Sequence, residues 1–513
     1  MSRLIREFMT DAAVDYKELD AVRWLEGKEI RAIHYDALNE EAGNIRRGIV
    51  TEGFTKSHIS IVGFTSVQWV EAYLGIVTAN NTAVPLDAAM KPEELYELID
   101  RSDSAALFLT KKLEVTIPAI FAACPKLKKI WLIEDAPETQ DERVGCLESL
   151  RELGKTSEQD ALPSPEDTAM IIFTSGTTGK SKGVILTQKN LAENVQALTF
   201  KSGTGVPLLN VLPVHHAFCL VMDWLRGFAN GAVICVNDSF KHMIRNMRIF
   251  QPVSMLMVPL MIETLCKRLE NADPNLPKEE VAKQVFGGRL RYIFAGGAHL
   301  ETFYINKLAE YGITVLEGYG MSECSPVITA NMPHNYKPGS VGKPLGNVEL
   351  KFENGEILVR GTSVMKEYYK MPDETGETLR DGWLHTGDKG YLDEDGFLFI
   401  NGRIKNLIIL SNGENISPEE IESKLMLEPL IGEVIIAGDG TGLRAHIFPD
   451  PDAAKDMDET AVREALQAIL DQYNSDQPTY RRIVGLTVRK YPFLKTATRK
   501  IRRTEIDRDE PAE

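Results

Sequence analysis

Short apolar runs alternate with amphipathic stretches through most of the chain. Ile59-Ser60-Ile61-Val62-Gly63 leads into a helical pattern near residues 67–79. Ala83-Val84-Pro85-Leu86 precedes a helix starting near Pro92, a residue suited to a first helical position because no N–H is needed there. Ala105-Ala106-Leu107-Phe108-Leu109 and Ile130-Trp131-Leu132-Ile133 read as buried strands. The rhythm returns at Val211-Leu212, Val233-Ile234-Cys235-Val236, Met255-Leu256-Met257-Val258 and Tyr292-Ile293-Phe294-Ala295. Strands alternating with helices predict βαβ units and largely parallel sheets.

The pattern changes after about Lys337. Glycines become frequent and the strands shorten: Glu349-Leu350-Lys351-Phe352, Glu356-Ile357-Leu358-Val359, Phe397-Leu398-Phe399-Ile400. Asn354-Gly355 and Asp395-Gly396 are hairpin signals, so this stretch reads as antiparallel or barrel-like. Asn401-Gly402-Arg403-Ile404-Lys405-Asn406 reads as a junction. Beyond it, Leu407-Ile408-Ile409-Leu410 is a strand and Ser417-Pro418-Glu419-Glu420 opens a helix, with an N-cap, a proline at N1 and a capping-box glutamate. Strands at Val434-Ile435-Ile436-Ala437 and Arg444-Ala445-His446-Ile447-Phe448 follow, then a helix near residues 460–474. The expected fold is α/β. A large N-terminal domain, 1–402, holds two parallel-type α/β sheets and a small β-barrel-like section, and a small α+β C-terminal domain, 403–513, follows it.

Composition narrows the function classes. The chain has 513 residues, 43% hydrophobic and 26% charged, with a net charge of −16. That acidity argues against nucleic acid as a main partner, since such proteins carry a basic footprint. No uninterrupted apolar run reaches the ~20 residues of a membrane helix. The opening Met1-Ser2-Arg3-Leu4-Ile5-Arg6-Glu7-Phe8 lacks the apolar centre of a signal peptide. Six cysteines without paired spacing suit reduced thiols, so a cytoplasmic setting is expected. Peripheral contact with a membrane surface stays open.

Chemistry concentrates in four places. Thr174-Ser175-Gly176-Thr177-Thr178-Gly179-Lys180-Ser181-Lys182-Gly183 follows the apolar run Met170-Ile171-Ile172-Phe173. Glycines let backbone N–H groups approach an anion, hydroxyls donate to phosphate oxygens and lysines add charge. It is not a Walker A loop, which needs a glycine where Thr174 stands. The second is Leu316-Glu317-Gly318-Tyr319-Gly320-Met321-Ser322-Glu323, after Ile313-Thr314-Val315. There a tyrosine between glycines can lie against a base, Ser322 can bind a phosphate and Glu323 can hold Mg²⁺. The third is Gly382-Trp383-Leu384-His385-Thr386-Gly387-Asp388, with Arg403 downstream. A carboxylate after a tight turn can accept from ribose hydroxyls, and Arg403 can fork onto ribose or phosphate. The fourth is the cationic run from Arg489 to Arg503, including Lys495, Arg499 and Lys500.

Together, in this order, the four resemble the adenylate-forming superfamily of acyl-CoA synthetases, luciferases and peptide-synthetase adenylation domains. The likeness runs from about His58 to Arg503. It is greatest to long-chain fatty acid–CoA ligases, through the junction Arg403-Ile404-Lys405 to Glu422 and through Gly320-Met321-Ser322-Glu323-Cys324-Ser325-Pro326. The resemblance implies a two-step ligase using ATP, Mg²⁺ and coenzyme A. A carboxylic acid, foremost a fatty acid, becomes an acyl-adenylate and then a thioester. Acyl carrier protein is an alternative acceptor, and a non-catalytic nucleotide- or acyl-binding scaffold is the other reading.

By the same resemblance, Thr174, Ser175, Gly176, Thr177, Thr178, Gly179 and Lys182 hold the β- and γ-phosphates, and Thr177 and Glu323 hold Mg²⁺. Glu317, Gly318, Tyr319, Gly320 and Ser322 bind the nucleotide, with Tyr319 on adenine. Gly296, Gly297 and Ala298 form a backbone wall, and Asp388 and Arg403 bind the ribose. Lys500 reaches the α-phosphate and the carboxylate, His216 is a gate and Lys405 a hinge of a mobile lid. A metal at His215-His216 is not expected, on the ground that neighbours on a strand face opposite ways. Ser181, Ser322, Asn406 and Arg499 depart from the family's usual proline, threonine, aspartate and glycine.

Overall fold

A computed structural model describes residues 3–174, 180–200, 203–270, 272–273, 275–409, 415–438, 442–495 and 501–510. By packing, the chain forms two compact units. The first runs through Ala298 and takes in Thr302–Leu350 and Val359–Leu384; the second holds His299–Glu301, Lys351–Leu358 and the chain from His385 on.

Two large sheets organise the first unit. One has eight strands, ordered Glu367–Tyr368, Lys182–Thr187, Thr168–Thr174, Thr82–Asp87, His58–Gly63, Ser104–Leu109, Lys129–Leu132 and Val144–Cys146. Its pairs are parallel except where Lys182–Thr187 runs antiparallel to both neighbours. The other has nine strands, with Pro207–Asn210, Val233–Val236, Ser254–Met257, Tyr292–Ala295 and Thr314–Gly320 forming its parallel middle. The predicted strand at Val211-Leu212 lies earlier, at Pro207–Asn210. The apolar runs are central because both faces are covered: Ile61, Leu107, Phe108, Ile171 and Ile293 are fully buried. One edge of the nine-stranded sheet is a hairpin, Asp20–Glu26 with Glu29–His34, which sequence patterning missed.

The expected antiparallel stretch is a five-stranded sheet of Val348–Glu353, Glu356–Gly361, Trp383–Leu392, Leu379–Arg380 and Leu398–Arg403. Asn354 and Gly355 both take positive φ, 51° and 82°, as a tight hairpin requires. In the second unit, Ile431–Gly438, Leu443–Pro449 and Ile483–Val488 form a three-stranded sheet. The helices Pro418–Leu425 and Glu459–Ser475 close its core, with Ile421, Leu425, Ile447, Leu466 and Leu470 buried. The expected capping box at Ser417 does not form. Ser417 Oγ donates to Glu419 Oε2 at 3.0 Å, and Glu420 pairs instead with Arg481 at 2.5 Å. Among the described residues no helix is long and apolar enough to cross a membrane.

Candidate active site

The hydroxyl-rich run is flanked by two paired strands. Strands Thr168–Thr174 and Lys182–Thr187 pair in register from Thr168↔Thr187 to Thr174↔Lys182. This places Thr174 and Lys182 opposite one another, where Thr174 Oγ1 donates a long hydrogen bond of 3.5 Å to the Lys182 carbonyl. Ser175, Gly176, Thr177, Thr178 and Gly179 lie outside the described residues.

Lys182 meets a residue that sequence reasoning did not single out. Tyr368 pairs with Val184, which puts its ring diagonally across from Lys182, within reach of a long side chain. The Lys182 ammonium sits 4.6 Å from the Tyr368 ring centroid. On the other side, the Tyr368 hydroxyl donates to Glu323 Oε1 at 2.7 Å. Burial, then the Glu323 carboxylate, pushes the Tyr368 phenol far above its ordinary value. Glu323 belongs to a short 3₁₀ turn, Ser322–Cys324, whose carbonyl at Glu323 accepts from Met365 N–H at 2.7 Å. Glu323 as a residue is 8% exposed. Thus the predicted phosphate-binding lysine, from a strand of the eight-stranded sheet, and the predicted Mg²⁺ carboxylate, from a turn that follows a strand of the nine-stranded sheet, share one tyrosine.

The donor set suits Mg²⁺. That ion is usually held by one or two carboxylates plus substrate phosphates and water, not by an all-protein cage. Glu323 supplies one hard oxygen donor, and no cluster of three or more His, Cys, Asp or Glu exists among the described residues. Thr177, the other predicted ligand, is outside them.

Glu317, Gly318, Tyr319 and Gly320 stand inside a strand, Thr314–Gly320, and not in a loop after it. Val327–Ala330 runs antiparallel to this end, pairing Gly318 with Ala330, Tyr319 with Thr329 and Gly320 with Val327. The glycines answer that close approach. A Cβ on Gly320 would lie 2.0 Å from the Pro326 carbonyl oxygen. Tyr319 is half-buried, and buried Glu317 accepts from Gly339 N–H at 3.3 Å. Beside it, Ala295 pairs with Glu317, so Gly296, Gly297 and Ala298 leave the sheet next to that strand. Gly296 donates to the Met257 carbonyl at 3.2 Å, and Phe218 fills the space a Cβ would need, at 3.2 Å.

His215 and His216 occupy a turn before a short helix, Ala217–Cys219, and not a strand. The argument that they face apart therefore fails: their ring centroids are 4.3 Å apart. Burial foremost, then the His216 neighbour, lowers His215 to about 4, against an opposing pull from Asp87, whose Oδ2 is 3.8 Å from Nε2. Downstream of the pair, Met222, Trp224 and Phe228 are buried. Phe218, partly exposed, abuts the Gly296 wall. The π-helix Leu220–Leu225 buries Asp223, which accepts from Asn210 Nδ2 at 2.7 Å. Burial raises Asp223 to about 7 and lowers Arg226 to about 10. Neither residue stood out in the sequence, where each is one charge in an apolar run.

In the second unit, Asp388 lies within the strand Trp383–Leu392 and not after a tight turn. It pairs in register with Arg403 and accepts from its Nε at 2.9 Å. Asp388 N–H is satisfied by Thr386 Oγ1 at 3.1 Å, and Gly387 N–H donates to Glu356 Oε1 at 3.0 Å. Lys405 is exposed, in the 3₁₀ turn Ile404–Asn406. Lys500 is outside the described residues. The segment carrying it is flanked by an antiparallel bridge, Lys495↔Ile501, and Lys495 is ion-paired with Glu433 at 2.5 Å.

Comparison with known proteins agrees with this layout. The chain is 27% identical over 464 residues to the long-chain-fatty-acid–CoA ligase FadD15 of Mycobacterium bovis, covering 81% of this chain and 77% of that protein. The anthranilate CoA ligase AuaEII, solved with anthranoyl-AMP, superposes with a TM-score of 0.85 at 20% identity over 99% of this chain and 97% of that one. MatB of Rhodopseudomonas palustris, solved with ATP, gives 0.80 at 26% identity and 99% of both chains. The family described as AMP-binding enzyme matches residues 9–369, and its C-terminal domain family matches residues 405–509. A two-sheet α/β body followed by a separate α+β domain is thus the fold of the AMP-binding enzymes, and this chain belongs to that adenylate-forming family.

Proposed function

We propose that this protein is an AMP-forming ligase that activates a fatty acid and passes the acyl group to coenzyme A. In the first step a carboxylate oxygen attacks the α-phosphorus of ATP and the bond to the bridging oxygen breaks, releasing pyrophosphate. In the second, the coenzyme A sulfur attacks the acyl carbon and AMP leaves. Two anions must meet in the first step, so neutralising charge must already be in place.

The observation that carries this reading is the convergence of Lys182 and Glu323 on Tyr368, beside the hydroxyl-rich run. Lys182, with Thr174 and the loop residues Ser175 to Gly179, takes the β- and γ-phosphates. Glu323 and Thr177 would hold Mg²⁺, which when bound would offset the charge of the phosphates. Tyr319, beside Glu317, Gly318 and Gly320, faces the adenine, Ser322 the phosphate, and Gly296 to Ala298 the adenylate and acyl carbonyl. Asp388 and Arg403 take the ribose. Lys500 acts on the α-phosphate, a role that the pairing of Lys495 with Glu433 favours over Lys495. His216 gates the acyl site, and Lys405 is the hinge of a lid formed by residues 403–513. The fatty acid substrate is favoured by the likeness to the FadD15 ligase.

The test is pyrophosphate release with ATP, Mg²⁺ and carboxylic acids from acetate through palmitate and oleate to benzoate, cinnamate and amino acids, with and without coenzyme A. Release that peaks with long chains, with acyl-CoA formed when the thiol is present, is the expected result. Release without a coenzyme A product redirects the acceptor to a carrier protein. Release confined to aromatic or short acids overturns the fatty acid assignment.

A further inference from the structure

Tyr368 touches two groups assigned to the phosphates and the metal, yet it has no part in the chemistry described above. Its placement is over-determined. The backbone N–H donates to Thr375 Oγ1 at 2.9 Å, the ring lies under the Lys182 ammonium, and the hydroxyl donates to Glu323 Oε1 at 2.7 Å. Tyr368 is 4% exposed. A hydroxyl in such a position acts on one carboxylate oxygen at a time. With Oε1 engaged, Oε2 makes no hydrogen bond among the described residues. The carboxylate is thereby held in one rotamer with its second oxygen left to a ligand.

Resting on the proposed Mg²⁺ role of Glu323, we propose that Tyr368 is a positioning residue. Its hydroxyl orients the Glu323 carboxylate for the metal, and its ring holds the Lys182 ammonium in place for the phosphates. Outer partners of metal-binding carboxylates typically control affinity by about 10- to 100-fold. The ring and the hydroxyl separate experimentally. Tyr368→Phe keeps the surface under Lys182 and removes the hydroxyl, with its hydrogen bonds to Glu323 and Thr378.

The experiment measures Mn²⁺ binding to the full-length enzyme by electron paramagnetic resonance, with ATP present, in four proteins: wild type, Y368F, E323Q and the double variant. The Mg²⁺ concentration giving half-maximal pyrophosphate release is read alongside. Y368F is expected to weaken Mn²⁺ binding about 10-fold. Its Mg²⁺ requirement rises to match, with kcat at saturating Mg²⁺ little changed. In the E323Q background the same substitution adds nothing, because the hydroxyl acts through that carboxylate. An equal loss from Y368F in both backgrounds would mean a general structural effect and would overturn the proposal. So would unchanged Mn²⁺ affinity in Y368F while E323Q loses it. Unchanged affinity in E323Q itself would instead remove Glu323 from the metal site, and the underlying functional reading would fail there.

Discussion

The Asp388 carboxylate is matched across one strand pair by Arg403, whose Nε donates to it at 2.9 Å. Asp388 is buried while the Arg403 side chain is 52% exposed, so the arginine can swing away and the aspartate cannot. If Asp388 accepts from ribose, Asp388→Asn should weaken ATP binding by about 10- to 100-fold, the loss expected for hydrogen bonds to a charged group. Calorimetric titration of ATP checks this. An unchanged Kd would leave Asp388 a structural partner of Arg403.

Gly320→Ala tests the strand geometry beside the adenine position. Its Cβ would meet the Pro326 carbonyl oxygen at 2.0 Å and the carbonyl carbon at 2.9 Å, and backbone cannot yield as a side-chain end can. Forced overpacking of this kind costs about 1–3 kcal/mol. The variant should melt lower and bind ATP more weakly. Gly346, where a Cβ meets nothing within 4 Å, is the control site for alanine.

The buried Asp223 and Arg226 should respond unequally to removal of the partner. Asp223→Asn takes a nearby carboxylate away from the Arg226 guanidinium, which keeps its hydrogen bond to the Phe200 carbonyl, and should destabilise the fold at every pH. Arg226→Met leaves a carboxyl that can take up a proton, since burial has already raised it to about 7. A carboxyl raised in the folded state binds its proton there and releases it on unfolding. Stability of Arg226→Met should therefore be greater at pH 5 than at pH 8. Urea unfolding at the two pH values decides it.

Much of this architecture is legible in the sequence because it is written locally. Unbroken apolar runs such as Ala105 to Leu109 mark strands buried on both faces, and Asn354-Gly355 specifies its own turn. The hydroxyl-rich run could be read the same way, being contiguous. Tyr368 could not, because it sits in a strand of two residues that exists only by pairing with Val184, far away in the chain. The histidine pair was misread because a turn took the place of an expected strand. Ser417 carries the right capping residues, but the distant Arg481 claims Glu420. Local chemistry is thus readable until a partner remote in sequence competes for the same group.

Glu71 gives a pH signature of the fold alone. It is buried, and desolvation raises it from an ordinary 4.5 to about 7, against the pull of Arg151 at 2.7 Å and with Glu41 and Glu148 adding to the rise. Between those two values the folded chain holds a proton that the unfolded chain releases, so stability falls as pH rises from about 4.5 to 7. At about 1.4 kcal/mol per pH unit, the interval bounds the effect at about 3 kcal/mol. Glu71→Gln should flatten that slope. Thermal melts at pH 5 and pH 7.5 on both proteins measure the difference.

The hydrophobic core around Ile421, Ile447 and Leu466 draws every one of its members from residues 408–488. A cluster that borrows no side chain from elsewhere can melt by itself. Heating this enzyme should then give two endotherms in a calorimeter, and the smaller should survive in a fragment beginning just before Arg403. Such a fragment could be labelled, or exchanged between related enzymes, as a cassette with its own folding equilibrium.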